Sequence, residues 1–500
     1  MPCVGRRRDE RGYVLAFAAI IMIPLMAIAG MATDIGSWYS RASEVQKAAD
    51  AAALAGVVWL PDLAKATAVA LDTARANGFD DGAPNISVTV SQLNQTDLRV
   101  SITDDDVPVY FSRLFLDDMT ITRESVGTYV LPVPLGSPKN YFGTGPLAPS
   151  PEGIWASING WCAPKEQGDP FAVGFEGNWP SSGIVCPGDT PNGQHIASPT
   201  NQYQYVINVP AGRTSDIVVH LFSPAKTNSY PDTNDGTSIT TTFELRAADN
   251  TPFNDTDNPL ATCNGSGESN PRTYNPGYVA SDATFFGQSG WSRFCTIPPS
   301  APSGQYFLGV RVLEGEANSS GVNSYSVMAS YGGLGATCDG GGDAMCPAVY
   351  GKDWISVLAA SASSAADFHL AEIGAEHAGK QMEITLFDPG EGGDYIQIKD
   401  PNGNPVRFDY HTADGDYSAT NVDRLDVSGC SGFPQIGPGR HSQCRYNERF
   451  VVLTVDLPAN YATLYPGSKW WKIYYKFTAA VNDRTTWSVR VLGDPVHISR

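Results

Sequence analysis

The sequence predicts a membrane-anchored, mainly β protein. A long N-terminal helix leads into a small α+β unit and then two tandem β-sandwich-like domains. Three observations carry this reading. Residues 13–33 form an apolar run without a charge. Gly 50 and Pro 36 suit turn-rich β structure in a chain of 500 residues. The C-terminal two thirds also repeat a set of strand-like segments.

The apolar run, YVLAFAAIIMIPLMAIAGMAT, is long enough to cross a bilayer core, at about 31 Å as helix. Residues 1–12 precede it with Arg6, Arg7, Arg8 and Arg11, and Asp34 follows it. The excess of positive charge places residues 1–12 in the cytoplasm and the bulk of the chain outside the cell, at its surface. Trp38 and Tyr39 fall where an interfacial aromatic belt is expected. A cleaved secretory signal is the rival reading, but its apolar region is about 7–15 residues. The formal net charge of −19 excludes the basic face that nucleic acid requires.

Helix propensity continues past the span through 34–60, so one helix is expected over 13–59, with Pro24 inside it. Residues 61–131 read as a small α+β unit. A helix begins near Pro61, shows Leu63, Ala66, Ala70 and Ala74 on one face, and stops at Asn77-Gly78. NISVTVSQL and TDLRVSIT alternate as strands. VPVYFSRLFL reads as a short helix presenting Phe111, Leu114 and Phe115, and MTITRESVGTYV as another strand. Residues 132–150 are a Pro/Gly linker.

The remainder reads as sandwich 1 over 151–337, a joint at 338–346 and sandwich 2 over 347–500. DIVVHLFSPA at 216–225 is similar to QMEITLFDPG at 381–390. TFELRAADNTP at 242–252 likewise matches YIQIKDPNGNP at 395–405, and YSVMASYG at 325–332 matches WSVRVLGD at 487–494. The offsets of 165, 153 and 162 residues fit a duplicated domain with loop insertions.

Cys3 stands alone before the span. The eight later cysteines suit disulfides in an exported region. Eight allow 105 pairings; the simplest joins neighbours, Cys162–Cys186, Cys263–Cys295, Cys338–Cys346 and Cys430–Cys444. No pair has zinc-finger spacing.

No catalytic motif emerges, so the expectation is a protein that is not an enzyme. The seven histidines show no ligand spacing. DVSGCSG at 426–432 approaches a metal-adhesion D-x-S-x-S pattern, but Cys430 occupies the second serine position. Three acidic loops are weak Ca²⁺ candidates: Asp232 with Asp235, Asp255 with Asp257, and Asp388 with Glu391 and Asp394. Asx-turns at strand ends explain them without a metal, and no cofactor is expected. Trp161 and Trp471 are candidate sugar-stacking residues, which keeps open a membrane-anchored extracellular glycan- or ligand-binding protein.

DERGYVLAFAAIIMIPLMAIAGMATDIGSWYSRASEVQKAADAAALAG resembles the N-terminal segment of the Flp/Tad pilus-assembly TadG-like family. Arg11-Gly12, the apolar helix, Asp34-Ile35-Gly36, Trp38-Tyr39 and VQKAADAAALAG fall in that family's order. The similarity extends over roughly the first 130 residues through DDDVPVYFSRLFLDDMTITRESVGTY. It implies a pilin-like, single-pass envelope protein with a structural or adhesive role and other Tad pilus or pseudopilin proteins as partners. Phe17 stands where substrates of type IV prepilin peptidase carry Glu, which implies a retained anchor. In KAADAAALAG, the small residues Ala48, Ala52 and Gly56 are four apart. They form either a ridge for a neighbouring chain or a plain Ala-rich stem.

Overall fold

The computed structural model describes residues 11–60, 63–93, 96–114, 119–129, 132–143, 152–160, 168–172, 202–222, 239–249, 257–275, 278, 283–285, 288–312, 322–333, 335–338, 345–390, 393–428, 445–467, 469–492 and 496–499. Two compact units result, one built from 1–131 with 494–500 and the other from 132–493 apart from a short excursion.

The first unit begins with α1, Arg11–Val57, a continuous helix of 47 residues. Its length is about 70 Å. The N-terminal half is apolar and exposed, as at Ile20, Ile23, Met26 and Ile28. A water-soluble domain would bury such residues, so this half fits a single-pass membrane anchor. The C-terminal half is buried along one side.

α2, Leu63–Ala76, buries Ala66, Ala70 and Ala74, while Leu63 stays 39% exposed. It ends in a Schellman motif. Phe79 N–H donates to the Ala74 carbonyl and Gly78 N–H to that of Arg75, with Gly78 at φ +92°. The left-handed backbone suits glycine, and Phe79 folds back into the core.

β1, Ile86–Gln92, β2, Asp97–Val107, and β3, Met119–Tyr129, form an antiparallel meander. A fourth strand, Val496–Ser499, completes this sheet along β3, with Val496 opposite Tyr129. Residues expected to end sandwich 2 therefore belong to the membrane-proximal sheet. Alternation of apolar residues marks a strand but not its partner. The expected helix at 107–116 is instead an extended turn and a 3₁₀ turn, Ser112–Leu114; Phe115 lies outside the described residues. One core joins both helices to this sheet.

The second unit contains a 12-stranded sheet, a 5-stranded sheet and a 4-stranded sheet. Side chains from all three share a core. Tyr325 of the long sheet donates its hydroxyl hydrogen to Tyr205 of the 5-stranded sheet at 3.1 Å, deep in that core. The internal repeat reappears as topology. Ile217–Phe222 lies between Gln288–Ile297 and Val322–Tyr331, and Gln381–Phe387 lies between Phe450–Asp456 and Val481–Leu492. The matching segments Thr241–Arg246 and Gly393–Lys399 sit in the two smaller sheets.

The boundary drawn at 338–346 does not separate two closed modules. Glu152–Asn159 pairs antiparallel with Ile355–Ser361, Ala156 opposite Val357, so the two repeats share the long sheet. Each repeat ends in a strand edge whose backbone groups need partners, and the other copy supplies them. Buried Ser157 and Ser356 hydroxyls meet at 2.9 Å across this pairing.

Candidate functional site at the membrane-proximal junction

The described residues that combine buried charge, tight packing and exposed apolar surface lie where α1 leaves the apolar span. Asp34 is the first charged residue after that span and is fully buried. Its carboxylate accepts N–H groups from Tyr110 at 3.1 Å, Phe111 at 2.9 Å and Ser112 at 2.6 Å. Burial pushes this carboxyl up, but the donated hydrogen bonds outweigh it and hold its pKa below the ordinary aspartate value. The turn after β2 is thereby tied to the anchor helix.

Gly30 lies one helical turn before Asp34. A Cβ there would fall 2.7 Å from Phe111 Cγ. Glycine is required because the Phe111 side chain occupies the space a larger residue would fill. Trp38 donates its indole N–H to the Pro108 carbonyl at 3.3 Å. Arg41 donates to Asp104 at 2.7 Å and to Glu44 at 3.1 Å, and its guanidinium lies 4.6 Å from the Phe79 ring centroid. These contacts bind helix, turn and sheet at successive levels.

The alanine ridge continues upward. Ala48, Ala49, Ala52 and Ala53 are buried. A Cβ at Gly56 would meet Leu98 Cδ2 at 2.7 Å and the Ala66 carbonyl oxygen at 2.9 Å. Gly56 thus lies against α2 and β2 of its own chain, and Ala48 and Ala52 are buried in the core that α1 shares with α2 and the sheet. The sequence left a neighbouring-chain ridge and a plain stem open; in the structure these small residues serve close approach within the chain. Asp50 accepts from the Gln46 amide at 2.8 Å, and Gln46 also donates to the Glu124 carbonyl.

Residues 12–68 match the family model described as "Putative Flp pilus-assembly TadE/G-like". The TadE/G-like segment thus covers the apolar span, Gly30, Asp34, the alanine ridge and the start of α2. No curated protein matches the chain. Among solved structures, the "putative secreted protein from Eubacterium rectale" aligns over 69% of this chain and 93% of its own at 10% identity. Its TM-score of 0.13 is too low to define a shared fold.

The other sequence-derived candidates fall away from the TadE/G-like segment. Cys263–Cys295 and Cys338–Cys346 are disulfides. Cys162, Cys186, Cys430 and Cys444 lie outside the described residues. Glu268 stands beside the first disulfide, but its carboxylate accepts from Gly265 N–H, Thr296 N–H and the Thr296 hydroxyl. This is a turn brace, because disulfide sulfurs have no thiolate to offer a metal.

Trp471 is 1% exposed and donates its indole N–H to the Tyr461 hydroxyl at 2.7 Å. A ring so placed cannot stack on a sugar, so that candidate is corrected to a core residue. Trp161 lies outside the described residues. Asp388 is buried at φ +56° and accepts Glu448 N–H at 3.1 Å. The Asp394 backbone carbonyl accepts from Val427 and Ser428, while Glu391 lies outside the described residues. Asp232, Asp235 and Asp255 also lie outside them, and Asp257 is exposed.

The sequence missed the Asp34 clamp. Its visible signal was an acid placed directly after the apolar run, with a Gly one turn earlier.

Proposed function

We propose that this chain is a single-pass envelope protein with a structural or adhesive role in an assembly of the Tad pilus kind. Its N-terminus lies in the cytoplasm, and the folded units stand outside the membrane at the cell surface. The match of residues 12–68 carries this reading. The exposed apolar half of α1 supports the anchor, and the disulfides Cys263–Cys295 and Cys338–Cys346 support an oxidising compartment. No nucleophile–base pair or metal centre of the familiar enzyme classes emerges among the described residues.

Two experiments test it. An epitope inserted after Leu93, between β1 and β2, should be reached by antibody only from outside the cytoplasmic membrane; cytoplasmic exposure would overturn the topology. Deletion of the gene should impair piliation or surface attachment. Normal piliation together with normal attachment would sink the functional reading.

A further inference from the structure

We propose that the turn at 108–113 is a second membrane-contacting element, seating Tyr110 and Phe111 in the lipid interface beside the anchor helix. This rests on reading residues 13–33 as a membrane span. The key placement is Phe111 against Gly30. Gly30 is four residues inside the span from Asp34, so this contact lies about 6 Å further along the helix. A residue from the sheet domain thus reaches back to the level of the span's last turn.

Both aromatics remain open there: Tyr110 is 64% and Phe111 60% exposed. The helix surface on the same side, one and two turns back from Gly30, is apolar and exposed as well, at Met26 and Ile23. The aromatic surface is therefore continuous with the surface that lipid covers. An occupant at the level of Gly30 must suit an apolar, bilayer-facing environment, which favours lipid over a water-soluble partner.

The chemistry of the turn agrees. Tyr110 offers an apolar ring with a polar end, the form favoured at a membrane–water boundary. Arg113 is exposed and carries a cation suited to lipid phosphate. Asp105 and Asp106 are exposed on the strand side of the turn, where their carboxylates limit its depth to the interface. Asp34 would be costly near lipid as a bare carboxylate. Three backbone N–H groups satisfy it instead. The same bonds hold the turn in place, so anchoring the acid and presenting the aromatics are one arrangement.

The test uses the full chain in phosphatidylcholine vesicles whose acyl chains carry bromine, a short-range quencher of tryptophan emission. Three single variants are compared after subtraction of the parent signal. Tyr110→Trp reports the turn and Met26→Trp the span. Leu93→Trp reports the far end of the sheet, at the hairpin after β1. With bromine near the headgroup end, Tyr110→Trp should be quenched at least about twofold more than Leu93→Trp, as an interfacial side chain requires. With bromine near the chain end, Met26→Trp should be quenched most. Quenching of Met26→Trp with Tyr110→Trp no different from Leu93→Trp would overturn the inference while leaving the anchor intact. Absence of quenching at both Met26→Trp and Tyr110→Trp would overturn the anchor reading and the inference with it.

Discussion

Gly127 of β3 lies directly against Ala53 of α1: a Cβ at Gly127 would fall 2.6 Å from the Ala53 carbonyl oxygen and 3.2 Å from Val57 Cγ1. The helix backbone rests on the sheet backbone at this point. Such closeness is possible only where both residues are small, and it holds the stalk half of α1 to its sheet.

Gly127→Ala should therefore cost stability, because the nearest atom, the Ala53 carbonyl oxygen, is backbone and cannot swing aside. Overpacking of this kind costs about 1–3 kcal/mol. Urea unfolding of the detergent-solubilised chain, followed by protease sensitivity of residues 34–129, would measure it. Wild-type resistance would show that the helix can lift without penalty.

Ala52→Leu should damage the chain's own membrane-proximal unit before it affects association. Ala52 is fully buried inside that unit. The added bulk costs about 1–3 kcal/mol. The expected result is faster proteolysis of the monomer with membrane insertion unchanged. Intact protease resistance with lost association would restore the neighbouring-chain reading.

Acid should loosen the turn at 110–112. Donated backbone hydrogen bonds hold the folded Asp34 carboxyl below its ordinary pKa, so it binds a proton less readily than in the unfolded chain. Its contribution is complete above the unfolded pKa and is lost as pH falls through the folded value. Hydrogen exchange of the Tyr110, Phe111 and Ser112 amides should accelerate as pH drops below about 4, beyond the intrinsic trend. Asp34→Asn should show faster exchange at neutral pH and lose that acid dependence. An unchanged pH profile in Asp34→Asn would assign the effect elsewhere.

Removal of residues 493–500 should expose the backbone edge of β3 from Val126 to Tyr129, where Val496–Ser499 now pairs. A bare edge invites pairing with other chains. The truncated chain should form more oligomer by light scattering than the full chain. Equal dispersity would mean that β3 needs no cover.

Replacing both Cys263 and Cys295 with Ser should cost about 3–4 kcal/mol, the loop-closure value for their separation of 32 residues. Denaturant unfolding of the second unit would read it, and an unshifted midpoint would show that the sheet alone holds that loop.

Local features were legible because each is written within a few residues. The apolar span gave α1, Asn77-Gly78 gave the Schellman stop, and alternating residues gave β1 and β2. The repeat between 216–225 and 381–390 marked two equivalent strands, each flanked by its own pair of neighbours. Trp471 was misread because composition shows that a tryptophan is present, not whether a hydroxyl such as that of Tyr461 waits inside to receive its N–H.

The amino-acid sequence by itself determined a long anchor helix, small residues on one of its faces and a duplicated β region, since period and turn chemistry are local. Tertiary structure decided what those features meet. It buried Ala48 and Ala52 and set Gly56 against Leu98 and Ala66 of its own chain, brought Tyr110–Ser112 to Asp34 across more than seventy residues, and joined Tyr129 to Val496. Backbone hydrogen bonding is the physical reason: every strand edge and buried acid needs a partner, but the backbone groups that answer are the same in every residue and leave no mark in the sequence.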